Sequence, residues 1–342
     1  MKIPSPVYEK LIRPVLFSMD PETVHDLAMY FLAGISQSRI LLSLLTPPHD
    51  PRLEKTVFGL KFPNPVGLAA GFDKNAVALP AWQALGFGFI EAGTVTARAQ
   101  PGNVQPRIFR LPEQKALINR LGFNNEGADA VAQRLGLLKK SGHWPVIPVG
   151  INLGKSKVTP LEEATADYLL SFERLQHFGD YFVLNVSSPN TPNLRKLQDR
   201  AALDELFDSM QRRNADHKPL LVKIAPDLDW EAIEEILALV DEHQIAGIIA
   251  TNTTIDHAVV PVERDEQGGL SGQPLRARST EIVRFIASKS RAPIIAVGGI
   301  MDADSAMEKL DAGAALVQLY TGYIYRGPGL IAEICERLLA RK

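Results

Sequence analysis

The stretch Leu184-Asn-Val-Ser-Ser-Pro-Asn-Thr-Pro-Asn-Leu-Arg195 crowds hydroxyls and amides behind a short apolar run, with no histidine or carboxylate among them. An ordinary turn needs one or two such residues, not this many. Elsewhere two lysines, Lys74 and Lys223, stand at the ends of apolar runs. Burying an unpaired ammonium is costly, so each such lysine points to an anion. One suits a carboxylate substrate and the other the anionic edge of a bound cofactor; salt bridges to Asp73 or Asp227 are the structural alternative.

A second signal is Ile294-Ile-Ala-Val-Gly-Gly-Ile300, followed by a helix start after Ala315-Leu-Val-Gln-Leu319 and Tyr320-Thr321. Paired glycines let backbone amides approach a phosphate, and a helix start adds its dipole. Tight turns that need glycine explain the same residues. The seven histidines (25, 49, 143, 177, 217, 243 and 257) are scattered without zinc-like spacing, so no metal site is expected, and most read as helix or loop surface. There is no G-x-x-x-x-G-K and no convincing G-x-G-x-x-G after the first strand, which disfavours nucleotide-triphosphate and nicotinamide chemistry.

These residues need a scaffold that brings them together. Apolar, β-branched runs recur at Pro65–Ala70, Gly88–Thr94, Val146–Ile151, Phe182–Val186, Leu220–Ile224, Gly247–Thr251, Ile294–Val297 and Ala315–Leu319. Continuous apolar runs mark strands buried on both faces of a parallel sheet. Amphipathic segments such as Trp230–Val240 supply the crossovers. Polar or glycine residues follow all eight runs: Gly71 to Lys74, Thr94, Asn152, Asn185 with Ser188 and Asn190, Lys223, Thr251 to Thr253, Gly298 with Gly299, and Tyr320 with Thr321. An open sheet gathers its chemistry at one switch point, whereas a barrel collects it from every strand. The expectation is an α/β protein, a (β/α)8 TIM barrel, with a doubly wound sheet as the runner-up. A hairpin over Val57–Pro63 should close the barrel floor. Three connections are long, from Thr96 to about Gly127, after Ser188, and from Asp256 to Gly272, and read as lids or binding walls.

Residues 1–45 form a separate helical cap in this reading, and 46–342 the barrel. Val7, Tyr8, Leu11, Ile12, Val15 and Leu16 share one helical face. Asp20-Pro21 caps a second helix carrying Val24, Leu27, Ala28, Phe31 and Leu32, and Ile40–Leu45 begins a third apolar segment. The spacing fits helices that complete the core, or a cap that dips into a bilayer surface.

The 342 residues are 46% hydrophobic and 22% charged, enough for a large core, and the net charge of −2 gives no electrostatic case for nucleic acid. A single cysteine, Cys335, allows no internal disulfide and fits a reducing compartment. No run approaches the ~20 apolar residues of a membrane span, and the start lacks a secretory signal.

Taken in order, Leu68-Ala-Ala-Gly-Phe-Asp-Lys74, Ile90-Glu-Ala-Gly-Thr-Val-Thr96, Pro106-Arg-Ile-Phe-Arg-Leu111, Asn119-Arg-Leu-Gly-Phe-Asn-Asn125, Asn185-Val-Ser-Ser-Pro-Asn-Thr191, Val222-Lys-Ile-Ala-Pro-Asp227, Ala250-Thr-Asn-Thr-Thr254, Gly268-Gly-Leu-Ser-Gly272 and Val297-Gly-Gly299 resemble the dihydroorotate dehydrogenases of the quinone-linked class 2. The resemblance covers nearly the whole chain. It implies oxidation of (S)-dihydroorotate to orotate in pyrimidine biosynthesis, with FMN taking the hydride and ubiquinone or another membrane quinone taking the electrons.

By that resemblance Ser188 is the catalytic base, with Thr191 and a water beside Phe123 in its proton relay. Cys335, in a C-terminal helix pattern, cannot serve. Substrate would meet Lys74, Asn119, Arg120, Leu121, Gly122, Phe123, Asn185, Asn190, Asn252 and Thr253. FMN would meet Ala70, Gly71, Phe72, Asp73, Lys74, Thr94, Asn152, Asn185, Lys223, Thr251, Gly272, Gly299, Tyr320 and Thr321. His25, Arg110 and Tyr320 match a quinone tunnel. Phe72 departs from the smaller aliphatic residue of many relatives. The resemblance also implies a monomer in peripheral contact with the bilayer, on the inner face of a bacterial cytoplasmic membrane, because the presequence and transmembrane helix of eukaryotic relatives are not found here. A soluble class 1 style enzyme using fumarate or NAD, and a silent phosphate-binding barrel, are the rival readings.

Overall fold

Eight apolar runs pair edge to edge until the last meets the first. The computed structural model describes residues 4–341. Its closed parallel barrel takes Val66–Leu68, Phe89–Val95, Val149–Leu153, Tyr181–Asn185, Leu220–Ile224, Gly247–Ala250, Ile294–Val297 and Leu316–Leu319 in chain order. Leu319 opposite Leu68 makes the closing pair. Helices cover the outside, and the barrel strands are buried throughout.

The floor is plugged as expected. Lys55–Val57 pairs antiparallel with Leu60–Phe62 around Phe58 and Gly59, whose φ of 54° and 76° suit a two-residue hairpin. The Phe62 ring enters the barrel, 5.3 Å from Phe89 at right angles, in a layer with Tyr181, Val183, Leu221, Ile249 and Ile295. Aromatic edge-to-face packing of this kind adds to burial.

Two of the long connections carry structure that the sequence reading left as loop. Ile108–Leu111, Ala116–Asn119 and Gly269–Gly272 form an antiparallel sheet, with Asn119 opposite both Ile108 and Gly269. The walls that rise after the second and sixth barrel strands are therefore one hydrogen-bonded unit, packed on Leu111, Ile118, Val260 and Leu270.

The N-terminal helices run over Ser5–Phe17, with a π-helical middle at Tyr8–Ile12, then Pro21–Ser36 and Arg39–Leu45. Asp20 caps the second by accepting the Thr23 N–H at 2.8 Å. Core completion describes only one side of them. Tyr8, Ile12, Leu16, Val24 and Ala28 face an internal cavity. Leu11, Val15, Tyr30, Phe31, Ile40 and Leu44 are largely exposed on the outside. An ordinary surface helix keeps its large apolar side chains on the side facing the core, so this many exposed ones are unusual. No single described helix is long and apolar enough to cross a membrane; Pro21–Ser36 and Arg39–Leu45 meet at a bend of 108°.

Candidate active site

Near the C-terminal ends of the strands the barrel interior turns from hydrocarbon to hydrogen bonds. At its centre is Glu91, a fully buried carboxylate. It accepts from Asn152 Nδ2 at 2.7 Å and from Gln318 Nε2, and the Lys223 ammonium lies 3.7 Å away. Asn152 Oδ1 in turn accepts from Thr94 Oγ1 and from Asn185 Nδ2 at 3.1 Å. Asn252 Nδ2 reaches Asn185 Oδ1 at 3.3 Å and Ser187 Oγ at 3.0 Å. Side chains from six strands or their ends are thus locked in one network. A buried network fixes its members when nearly all are satisfied. Glu91, Gln318 and Ser187 went unnoticed as site residues in the sequence; a carboxylate inside Gly88-Phe-Ile-Glu-Ala-Gly-Thr94 was the available signal.

Above this layer lie three adjoining chambers. The first is lined by Lys74, Thr94, Asn119, Leu121, Gly122, Phe123, Asn185, Ser188, Asn190, Lys223, Asn252 and Thr253, together with Ala70, Gly71 and Tyr320. Its volume is about 90 Å³. The wall is knit by its own amides, with Asn190 Nδ2 donating to Asn119 Oδ1 at 3.2 Å. Asn103, unforeseen in the sequence, ties the wall to the rim by donating to the carbonyls of Arg120 at 2.9 Å and Asn190 at 3.2 Å. Ser188 Oγ accepts the Asn190 N–H at 3.2 Å, the turn-capping contact expected of an ordinary serine, yet it also faces the chamber. Thr191 Oγ1, nearby in sequence, is buried and has no partner among the described residues.

The two lysines avoid both carboxylates suggested for them. Asp73 accepts the N–H groups of Val77 and Ala78 and the Trp82 indole N–H. Asp227 is taken by Arg195 at 2.8 Å and by Thr254. Among the described residues Lys223 has only the long contact to Glu91. Lys74 is 9% exposed and forms no hydrogen bond or ion pair with another described residue. Burial pushes its pKa down to about 8, with the more distant Glu22, Asp26 and Asp73 charges resisting the drop and Arg107 adding to it. Leaving an ammonium buried without a partner is costly, and an anion bound beside it would offset that cost.

The second chamber, about 70 Å³, is walled by Thr251, Gly272, Gly298, Gly299, Thr321 and Gln318 and shares Ala70, Lys223, Asn252, Thr253 and Tyr320 with the first. Gly298 and Gly299 have φ of 109° and 72°, a conformation that favours glycine. Gln318 Oε1 is buried there without a partner among the described residues.

The third is an apolar cavity of about 540 Å³ between the N-terminal helices and the barrel, lined by His25, Phe72, Arg110 and Tyr320 among mostly hydrocarbon neighbours. His25, unlike the histidines that read as helix or loop surface, lines this cavity. Its ring packs 5.4 Å from Phe72, and burial, then the Lys74 charge, push its pKa down to about 3. Arg110 lies over the Phe17 ring at 4.6 Å and donates to the Met19 carbonyl at 2.6 Å. Tyr320 lines all three chambers, with its hydroxyl 3.4 Å from the Gly71 carbonyl.

Four of the expected positions point elsewhere, the first being Phe72, expected at FMN, which lines the apolar cavity and neither of the other two chambers. The Arg120 guanidinium turns out to Glu266 at 2.8 Å and stacks on Phe109, so only its backbone belongs to the wall. The Asp73 carboxylate faces away, into the helix start at Val77 and Ala78. Asn152 sits beneath the chambers and acts on them through Thr94 and Asn185. Cys335 lies on the helix Gly329–Leu339, remote from this chemistry. Among the described residues one histidine, His243, joins two exposed carboxylates, Asp204 and Glu242, in a metal-like group.

The chain matches the family model for dihydroorotate dehydrogenase over residues 52–341. It is 55% identical to the dihydroorotate dehydrogenase (quinone) of Gloeobacter violaceus over 337 residues, covering 97% of this chain and 94% of the relative. It is 52% identical to the corresponding enzyme of Nostoc punctiforme, covering 98% and 94%. The crystal structure of DHODH from Eimeria tenella in complex with ferulenol superposes with a TM-score of 0.85 at 38% identity, covering 94% of this chain and 91% of that one. With that similarity over almost its entire length, and the fold it has in common with the Eimeria tenella structure, the chain belongs to the dihydroorotate dehydrogenase family.

Proposed function

We propose that this protein oxidises (S)-dihydroorotate to orotate in pyrimidine biosynthesis, with FMN as hydride acceptor and a membrane quinone as final oxidant. The observation that carries the reading is the meeting of one amide-lined, one glycine-lined and one apolar chamber at Tyr320.

The residues present fit FMN. Lys223 and the partnerless Gln318 Oε1 offer a cation and an acceptor in the chamber wall, while the turn at Gly298 and Gly299 with Thr321 forms a small polar cradle. Ala70, Gly71, Thr94, Asn185, Thr251 and Gly272 complete its surroundings. Bound there, FMN supplies a two-electron acceptor that can also deliver electrons to a quinone.

In the first chamber Lys74 counters the substrate carboxylate, while Asn119, Asn190, Asn252 and Thr253 match the alternating donors and acceptors of the ring. Ser188 Oγ receives the proton from C5 as its own proton leaves toward Thr191 or water. A hydroxyl is a weak base in bulk water, and fixed geometry and exclusion of solvent are what make it serviceable. The amide network over Asn119, Asn103 and Asn190 supplies that fixation.

The apolar cavity suits the quinone. His25, neutral above a pH of about 3, can offer a hydrogen bond without placing a charge in an apolar chamber. The outward apolar face of residues 1–45 is read as the part that lies on the bilayer, so that the quinone enters from lipid. The cytoplasmic side of a bacterial membrane and a monomeric state complete the proposal.

An absorbance scan of purified protein, followed by dihydroorotate and then a short-chain quinone under argon, tests it. Bleaching of a flavin band by dihydroorotate and its recovery with quinone are expected. No flavin band, or recovery with fumarate or NAD and none with quinone, would overturn it.

A further inference from the structure

Lys309 is fully buried on the helix Ala303–Asp311. Its ammonium donates to three neutral oxygens: Ser279 Oγ at 2.5 Å, Thr280 Oγ1 at 2.7 Å and the Arg276 carbonyl at 3.0 Å. Among the described residues no carboxylate pairs with it. The adjacent Glu308 instead takes Arg276 Nε at 2.6 Å. A sealed ammonium without an anion is a costly arrangement in a fold. Burial pushes its pKa down to about 7, opposed by Glu308 and reinforced by Arg276 and Arg284.

The direction in which this charge acts is set by Ser279. Its hydroxyl, which accepts from Lys309, lies 3.1 Å from the carbonyls of both Val297 and Gly298. The Gly298–Gly299 peptide lines the glycine chamber, and Gly299 is so tightly backed that an added Cβ would fall 2.2 Å from Arg276 Cα. A chain of hydrogen bonds thus runs from a buried cation, through one hydroxyl, to the carbonyl of the peptide at the cradle. Hydrogen bonds in series polarise one another, and a peptide whose carbonyl is bonded in this way becomes a stronger N–H donor.

We propose that Lys309 is a positioning residue for the phosphate end of the flavin cofactor: through Ser279 it fixes the Gly298–Gly299 turn and biases that turn toward an anion over a neutral group. The inference rests on the FMN reading above and assigns a second-layer charge to that site. An ordinary structural lysine would support the turn equally for charged and uncharged ligands.

The discriminating measurement is the ratio of affinities for FMN and for riboflavin, which lacks the phosphate, taken by fluorescence titration of the full chain freed of flavin. Lys309→Met should weaken FMN by about tenfold or more, the worth of one hydrogen bond to a charged group. It should leave riboflavin within about twofold, since riboflavin presents no charge to screen. Ser279→Ala keeps the lysine but removes the bridge, and should shift the ratio the same way by a smaller factor. If Lys309→Met does not fold, the Ser279→Ala ratio decides. A wild type that binds FMN, with the ratio unmoved in the folded variants, would overturn the role of Lys309 alone. A wild type that takes neither flavin would overturn the cofactor reading and this role with it.

Discussion

The Glu22 carboxylate lies 2.6 Å from the Arg107 guanidinium, joining the second N-terminal helix to the wall above the barrel through a pair whose side chains are only 11% and 8% exposed. Arg107 also donates to the carbonyls of Pro101 at 2.6 Å and Asn103 at 2.8 Å. Asn103 in turn holds the Asn190 carbonyl, two residues from Ser188. Helix docking and the geometry of the serine loop are therefore mechanically joined.

Glu22→Ala is expected to strand the guanidinium in a dry setting. Removing one partner of a buried pair typically costs about 3–5 kcal/mol. Chemical denaturation should record a loss of that order, with a higher KM for dihydroorotate as the wall loosens. A loss within experimental error and an unchanged KM would mean that the pair contributes nothing net.

Ser188→Ala should keep its flavin and lose most of its turnover, by a factor of about 10² to 10⁴ as for other general bases. Ser188→Cys should retain part of it, because a thiol can also take the proton. Stopped-flow bleaching by dihydroorotate reads the step directly. A wild-type rate in the alanine variant would remove Ser188 from the role of base.

Lys74 gives a pH signature of definite sign. Its pKa of about 8 means that the ammonium opposite a bound carboxylate is present below that pH and lost above it. KM for dihydroorotate should climb through pH 8 to 9.5, approaching about tenfold per pH unit. The folded value is depressed from 10.5, so between about 8 and 10.5 the unfolded chain binds more protons and stability without ligand rises with pH. Wild type minus Lys74→Met isolates this contribution in paired denaturation curves at pH 8 and pH 10. A flat KM across that range would contradict the assigned contact.

The outward apolar face predicts lipid binding. In Leu11→Asp with Ile40→Asp, two exposed aliphatic residues become charged. Each such side chain is worth roughly 1.5–3 kcal/mol when buried, so co-sedimentation with phospholipid vesicles should fall by more than about tenfold. Bleaching by dihydroorotate should persist. Equal sedimentation of variant and wild type would show that this face does not meet lipid.

The barrel was legible because strands buried on both faces are written as unbroken β-branched runs, and the Asp20 cap and the floor hairpin announce themselves by local residue types. The sheet above the mouth was not. Its members are four residues long, and Asn119 pairs with Gly269, 150 positions away. No local pattern encodes such a partner. Motif matching also found the right stretch at Arg120 and Asp73 while missing where those side chains point, because a long side chain follows its best partner. Glu91 escaped for the opposite reason: one carboxylate inside an apolar strand looks like an exception until the amides around it are in view.

Because the amide-lined chamber and the hydrocarbon cavity share only Asn119, Leu121 and Tyr320 among the described residues, the proposed dihydroorotate and quinone would not contend for the same volume. Each can be exchanged while the other stays seated, and crowding by one would not slow the arrival of the other. A drug shaped for the greasy side could then silence turnover without resembling a pyrimidine at all.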